Sequence, residues 1–397
     1  MTGLSGITPG HAPRCREMRA KIHRTEFIIE PPFILHPMHV LLVVAAQRYT
    51  GAAAVAEHNC RALHAAGVDA DLLFVGGGNL EARLAGFDWG RAELRKERNP
   101  AHFRGNLARV RSAAAEVDVV VCHLPHDHFL CWAAGVHRNA TLVRSYRRAK
   151  HLRSNIPNRK LAWIIDAGLL ANSSLAQPFQ RLTGGTVDAV SLPVPLEERF
   201  RPGREGNRWR HNLGISETAP VLGMIGKVAR GRGFDTLLRT VQRVGRDAHV
   251  LIVGHGEARF ELEALATSLG LDGRVHWAGY RARELPELYA AMDVVLFPAA
   301  GSDHGHRAVS EAQGCGRPVV SAEIPGVDDL IKDGITGRIV PGSPERLAEA
   351  VVSLLADPAA ARRIGAAAAD VVASRRFPVV GRVLASFLGR LTRSASH

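Results

Sequence analysis

The chain has 397 residues, of which 46% are hydrophobic, 22% charged and 6% aromatic; this length calls for two or three domains with a sizeable core, and the composition excludes disordered, collagen-like and coiled-coil chains. Lys and Arg number 51 against 38 Asp and Glu, a formal net charge of +13, which favours phosphate-rich ligands, anionic lipid surfaces or nucleic acid without choosing among them. The cysteines are odd in number and scattered, with no Cys-x-x-Cys pair, so neither a disulfide framework nor a zinc site is indicated and a reducing cytosol fits.

No apolar run reaches the roughly 18 to 20 residues of a membrane-spanning helix. Residues 1–37 carry Arg14, Arg16, Arg19, Lys21 and Arg24 without a continuous apolar segment or cleavage site; they read as a disordered extension rather than a secretory signal, and Met38 opens the first domain. His39–Ala46 reads as a strand buried on both faces and Ala52–Gly67 as the helix after it. Asp71–Val75, Asp118–Cys122, Ala140–Arg144 and Leu169–Asn172 continue the alternation of a parallel α/β sheet. The rhythm breaks at Leu192-Pro-Val-Pro195 and across Pro202–Asn207, a Pro, Gly and charge cluster that reads as a linker. A second set of strands follows at Val221–Ile225, Val250–Val253, Val275–Ala278, Val294–Phe297 and Val319–Ser321, with helices between them and a helical remainder from Pro344. The expected division is an N-terminal Rossmann-like domain over 38–203, a second over 204–375, and a C-terminal helix over 376–397 that could pack back on the first. Open α/β sheets bind ligands at the carboxyl ends of their strands, so function is sought between the halves.

Three segments carry chemistry. Ile225–Asp235 holds glycines and Lys227, Arg230 and Arg232 between a strand and a helix, a layout suited to a diphosphate, although a basic surface turn would look the same. Val253-Gly-His-Gly-Glu257 is a Gly-x-Gly turn, common in α/β proteins; a three-glycine dinucleotide fingerprint with its later acid is absent, which ranks a dehydrogenase low. Gly301–Ser321 places Asp303 eight positions before Glu311, ahead of a Gly-x-Pro-Val-Val strand entry.

This last stretch resembles the E-x7-E region of retaining glycosyltransferases of family 4, in the GT-B superfamily. The basic loop is similar to that family's G-R-L-x-x-x-K-G-x-D segment, and Arg274–Gly279 and Leu288–Pro298 follow its strand patterns. In the first half Thr50-Gly51 sits where a Gly-rich loop is expected, and Cys122-His-Leu-Pro125 resembles the H-x-P after a central strand. The resemblance implies the GT-B fold, two Rossmann-like doubly wound domains facing a central cleft. It also implies a metal-independent enzyme without a cofactor that moves a sugar from a nucleotide-diphosphate donor to an acceptor hydroxyl, with retention of configuration. On that reading Glu311 bonds the ribose and Asp303 lies near the transferred sugar. Lys227 and Arg232 neutralise the diphosphate, and the backbone at His306 and Arg307 holds phosphate. Gly51 and Gly254 allow close approach, Tyr280 and Arg281 lie near the base, and His123 lines the cleft by the sugar. Cations and helix N-termini suit a phosphate leaving group, and no Asp-x-Asp pair stands in a suitable loop for a metal.

The chain departs from the family at Asp303, where Glu is usual, at Lys227 and Arg232, whose types are exchanged, and at His304-Gly305-His306 in place of Gly-Phe-Gly. A nucleotide-sugar epimerase of the same superfamily and an inactive nucleotide-sugar-binding protein are the alternatives. Between Arg144 and Lys160 the run Arg144, Arg147, Arg148, Lys150, Arg153, Arg159 and Lys160 has no acidic neighbour; it is either a solvated face or, through Arg147, Arg148 and Lys150, a contact for an anionic acceptor or a membrane surface. His126 and His128 around Asp127 read as a solvated loop rather than metal ligands. A glycan or lipid-linked acceptor in lipopolysaccharide or other cell-surface synthesis and a cytoplasmic location, with peripheral contact at the inner face of the membrane, complete the expectation. A nucleic-acid partner is set aside for want of a recognition module.

Overall fold

The computed structural model describes residues 22–23, 37–97, 99–153, 155–203, 206–245, 247–300 and 306–395. The first domain is built on β1 (Ile22–His23), β2 (His39–Val44), β3 (Asp69–Val75), β4 (Gly90–Leu94), β5 (Val119–Cys122), β6 (Thr141–Tyr146), β7 (Ala167–Leu170) and β8 (Asp188–Ser191). All pair in parallel, in the order β1-β8-β7-β6-β5-β2-β3-β4. The second domain holds β9 (Val221–Ile225), β10 (His249–Val253), β11 (Val275–Gly279), β12 (Val294–Phe297), β13 (Val319–Ala322) and β14 (Arg338–Val340), again parallel, in the order β11-β10-β9-β12-β13-β14. Both orders reverse once, between β2 and β5 and between β9 and β12, which is the doubly wound plan expected from the sequence.

The central strands are apolar on both faces because helices cover both sides of each sheet. Val40, Val43 and Val44 have no exposed surface, nor do Val119, Val120 and Val121. At the opposite, amino-terminal edge one device recurs. The residue before a strand is an aspartate whose carboxylate accepts from the first or second backbone N–H of the neighbouring strand: Asp118 from His39, Asp166 from Leu142 and Asp293 from Val221, each at 2.8 Å. These bonds satisfy groups that the ladders leave over and fix the relative height of adjacent strands.

The chain crosses between the domains twice, and the crossings are bonded to one another. Leu196 N–H donates to Arg375 O at 2.9 Å, and the Arg376 guanidinium donates to Glu197 O at 2.6 Å and Phe200 O at 2.7 Å. Beyond the second crossing the helix Phe377–Ala395 returns to the first domain. Its Val380, Leu384, Phe387 and Leu388 share a core with Ala56, Cys60 and Leu63 of the helix Gly51–Ala65. Two helices meet here at backbone distance, since a Cβ on Gly381 would lie 1.8 Å from Ala62 O.

Ile22–His23 pairs with Ala189–Val190 and covers the edge of β8; the rest of the expected extension before residue 37 lies outside the described residues. Among the described residues no helix is long and apolar enough to cross a membrane.

Candidate functional site

Arg307, on the helix that follows β12, acts electrostatically on Tyr49 and His58 after β2, so the carboxyl ends of the two sheets approach each other here as the two walls of a cleft. On the first-domain wall, Thr50 caps the helix Gly51–Ala65, its hydroxyl accepting from Ala53 N–H at 3.4 Å, so Gly51 opens a helix N-terminus at the end of β2. His123 follows β5 and is 3% exposed, with neither ring nitrogen bonded. Burial, reinforced by the charge of Arg147, holds its imidazole down at about 4, so it is neutral at pH 7.

Asp127 locks this corner. The residues read as a solvated loop around it are instead the first turn of the helix Pro125–Ala133, with Asp127 and His128 buried. The Asp127 carboxylate accepts from Ala45 N–H at 2.8 Å and Leu124 N–H at 2.7 Å, tying the end of β2 to the segment that carries His123. Burial pushes its carboxyl up to about 7.

Deeper on the same wall, Glu57 is 1% exposed and accepts from the Tyr49 hydroxyl at 2.6 Å and from Arg83 Nε at 2.9 Å. His58 beside it is fully buried and edge-on to Phe377 at 5.5 Å, with both ring nitrogens unbonded. Burial, then the charges of Arg307, Arg61, Arg83 and Arg147, keep it neutral.

The second-domain wall is three nested loops. The Gly226 and Val228 N–H groups donate to Val253 O and His255 O at 3.0 Å, and Gly254 N–H donates to Gly279 O at 2.8 Å. A Cβ on Gly254 would sit 1.9 Å from Gly226 O, so this glycine serves the contact between loops whatever else it does. Lys227 and Glu257 pair at 3.1 Å on the surface, and Glu257 is held below the usual carboxylate range by its own backbone N–H, by Lys227 and by Arg232. So exposed a pair adds little and gives way readily to a stronger anion. Tyr280 is 69% exposed and edge-on to His255 at 5.8 Å, a flat aromatic platform, and Arg281 lies 5.7 Å from the centre of the Trp209 ring with Nε on Ala278 O at 3.0 Å.

Glu311 projects from the helix Arg307–Gly314 and is 4% exposed. Its carboxylate accepts from the Tyr289 hydroxyl at 3.0 Å and from Arg307 Nε at 2.7 Å, and Arg307 reaches on to Glu197 of the linker at 3.4 Å. Burial opposes the Arg307 charge, but Glu311, Tyr49 and Glu197 outweigh it and hold the guanidinium more firmly protonated than usual. Arg307 is thus a cation between two carboxylates at the junction of linker and cleft. Ahead of it His306 adopts the left-handed conformation at φ 43, where the family pattern has glycine, and its Nε2 lies 3.0 Å from Pro325 O. Asp303 lies outside the described residues.

The structure therefore brings Lys227, Arg232, Gly254, Tyr280, Arg281, His306, Arg307 and Glu311 onto one wall and Gly51 and His123 onto the other. It does not do the same for the basic run. Arg147 is 7% exposed while Arg148 is half-buried and Lys150 exposed. The three therefore differ in access, Arg147 being enclosed just past the end of β6. The sequence reading also passed over Tyr289, Glu197, Glu57 and Asp127. Tyr289 was within reach, since it stands in the Leu288–Pro298 pattern; the Glu57–Arg83 and Glu197–Arg307 bonds carried no local signal, because they join residues 26 and 110 positions apart. Among the described residues no cluster of three or more His, Cys, Asp and Glu could hold a metal ion.

Two parallel-sheet domains with a cleft of this make-up define the GT-B architecture, and solved structures share it. The Anabaena HepE protein in complex with UDP and glucose superposes with a TM-score of 0.76 at 19% identity, over 89% of this chain and all of that one. Sucrose-phosphate synthase from Thermosynechococcus elongatus does so at 0.72 and 16% identity, over 90% of this chain and all of that one. The family described as glycosyl transferases group 1 matches residues 219–357. That match lies within the second domain, which is thus similar to the group 1 glycosyltransferases over those residues.

Among curated proteins it is 33% identical over 201 residues to a D-inositol 3-phosphate glycosyltransferase of Xylanimonas cellulosilytica, covering 49% of this chain and 46% of that protein. It is 32% identical over 172 residues to an alpha-D-kanosaminyltransferase of Streptomyces kanamyceticus, covering 42% and 44%. The chain spans about half the length of the curated relatives it matches.

Proposed function

We propose that this chain is a glycosyltransferase that moves a sugar from a nucleotide-diphosphate donor bound in the cleft to an acceptor hydroxyl, with retention of configuration and without a metal. The observation that carries the reading is the buried carboxylate of Glu311 set beside surface cations and helix N-termini on one wall, opposite a buried neutral histidine on the other. Breaking the bond between sugar and phosphate builds negative charge on the departing diphosphate, and Lys227, Arg232 and the N–H groups opening the helix Arg307–Gly314 are placed to stabilise it. Tyr280 offers a face for the base and Glu311 an acceptor for the ribose hydroxyls. His123, neutral, can hydrogen-bond the sugar without repelling the positive character that develops at its anomeric carbon. UDP and UDP-glucose, bound by the HepE protein, are the first compounds to try.

The acceptor we infer is a glycan or lipid-linked precursor of a cell-surface polymer such as lipopolysaccharide, which the basic charge favours, and the setting is the cytoplasm, in keeping with the free buried thiols of Cys60, Cys122, Cys131 and Cys315. A second reading, a nucleotide-sugar binder without turnover, is favoured by the Arg307–Glu311 pair, which engages the carboxylate assigned to the ribose hydroxyls. Donor hydrolysis separates the two. Thermal stabilisation by a panel of nucleotide sugars tests both, because a specific ligand raises the melting temperature by mass action. A shift with at least one of them, abolished in Glu311→Ala and much reduced in Lys227→Ala and Arg232→Ala, is expected; equal shifts in all three variants would put the site elsewhere.

A further inference from the structure

The carboxyl ends of β3 and β4 open on a shallow cavity of about 550 Å³, lined among others by Gln47, Glu93, Arg95, Lys96, His102 and Arg109. Its one carboxylate, Glu93, is engaged by Arg91 at 2.7 Å. Among the described residues Arg95, Lys96 and Arg109 make no ion pair, and the carboxylates nearby are engaged elsewhere, Glu81 by Gly77 N–H and Glu97 by His126 and Asn106, so the lining is net positive.

The surroundings fix the backbone that carries two of these cations. Asn106 is 1% exposed and clamps Arg95 from both sides, its Oδ1 accepting from Arg95 N–H at 2.9 Å and its Nδ2 donating to Arg95 O at 2.8 Å. The ring of His102 lies 3.0 Å from Lys96 O. On the helix Pro100–Ala113 a glycine stands mid-helix, at Gly105, where alanine would favour the helix by about 1 kcal/mol. A Cβ there would lie 2.8 Å from Arg109 Nη1; the missing side chain is what lets this guanidinium lie along the helix toward the cavity.

We propose that the cavity binds an anionic group of the acceptor, a phosphate or a carboxylate. β4 is two strand spacings from β2 and three from β5, so the anion would sit roughly 10 to 15 Å along the cleft from the residues that handle the transferred sugar. That span exceeds a single sugar ring and selects acceptors that carry their charge one or more units away from the attacking hydroxyl. The proposal rests on the transferase reading for the word acceptor, but not for the anion site itself.

The test is calorimetric titration of the full chain with inorganic pyrophosphate and with D-glucuronate in the presence of saturating UDP, which occupies the donor diphosphate site. At least one of the two anions is expected to bind, pyrophosphate the more tightly if the group is a phosphate and glucuronate if it is a carboxylate. Arg95→Gln and Arg109→Gln are expected to weaken that binding tenfold or more while leaving UDP affinity unchanged. Gly105→Ala should weaken it several-fold without lowering the melting temperature, an effect that misfolding cannot produce. Loss of all anion binding once UDP is saturating, or equal affinity in the variants, overturns the proposal. If UDP itself fails to bind, it is the donor reading that falls, and the variants still report on the cavity.

Discussion

At Glu311 two bonds of different kinds converge, a neutral one from Tyr289 and a charged one from Arg307. Tyr289 has no exposed surface, so an incoming ribose has to displace Arg307, and the carboxylate charge must attract both. Glu311→Gln keeps the size and the Tyr289 bond but loses the charge. It is expected to weaken UDP binding by roughly 1.5 to 3 kcal/mol, about 10- to 100-fold, in a calorimetric titration; unchanged affinity would remove Glu311 from the site.

The buried imidazoles lead to a pH dependence. An unfolded histidine takes up its proton near 6.5, whereas folded His123 and His128 do so at about 4 and about 3, held down by burial first. On acidification the unfolded chain therefore binds protons that the folded chain refuses, and stability falls as pH drops from about 6.5 toward 4. Asp127 acts in the opposite sense: its folded value of about 7 lies above its unfolded value, so below pH 7 it stabilises the fold as it takes up its proton. The histidines prevail, and the chain is expected to be acid-labile. In urea denaturation at pH 7 and pH 4.5, His123→Asn should reduce the loss between the two, His123 alone accounting for up to about 3 kcal/mol over its full range. An equal loss in the variant would mean that His123 is not held neutral.

At the scale of elements, the crossing of Gly51–Ala65 with Phe377–Ala395 is the contact most sensitive to one added side chain. Gly381→Val puts carbon where Ala62 O already lies. It is expected to lower stability by about 2 kcal/mol or more, within the range of overpacking, read as a fall in melting temperature; an unshifted melting curve would show that the helices do not meet as described.

The elements legible in the sequence were those whose burial is two-sided, such as β2, β5 and β12, because a strand covered on both faces must be apolar throughout. Gly90–Leu94, Asp188–Ser191 and Arg338–Val340 were missed for the converse reason: β4 and β14 are sheet edges and β8 nearly one, so a few residues with polar neighbours suffice there. The second-domain loops of the candidate site were legible because their glycines, cations and Glu311 stand close together in three short segments. A run of cations says nothing about which of them the fold encloses: Arg144 within β6 and Arg147 just past its end are both buried. The Glu197–Arg307 bridge joins residues 110 positions apart and had no local trace.

At the scale of the whole molecule, the domains touch at both ends of the cleft. On one side Arg375 and Arg376 bind the crossings together. On the other, Ser173 N–H of the first domain donates to Asp329 of the second at 2.6 Å, and Asn172 Nδ2 lies 3.5 Å from Pro325 O. A ligand held between the walls should therefore quiet both domains together. With a net charge of +13, capture of an anionic donor should also weaken with ionic strength, and UDP affinity measured at 50 mM and 500 mM salt is expected to fall several-fold; no change would mean that long-range charge takes no part.

The measurement that bears most directly on the account is hydrogen–deuterium exchange of the full chain with and without UDP-glucose. Slower exchange is predicted at once in residues 226–232, 279–281 and 307–311 of the second domain and in 45–51 of the first. Protection confined to a single domain, or none in these segments at saturating ligand, would contradict it.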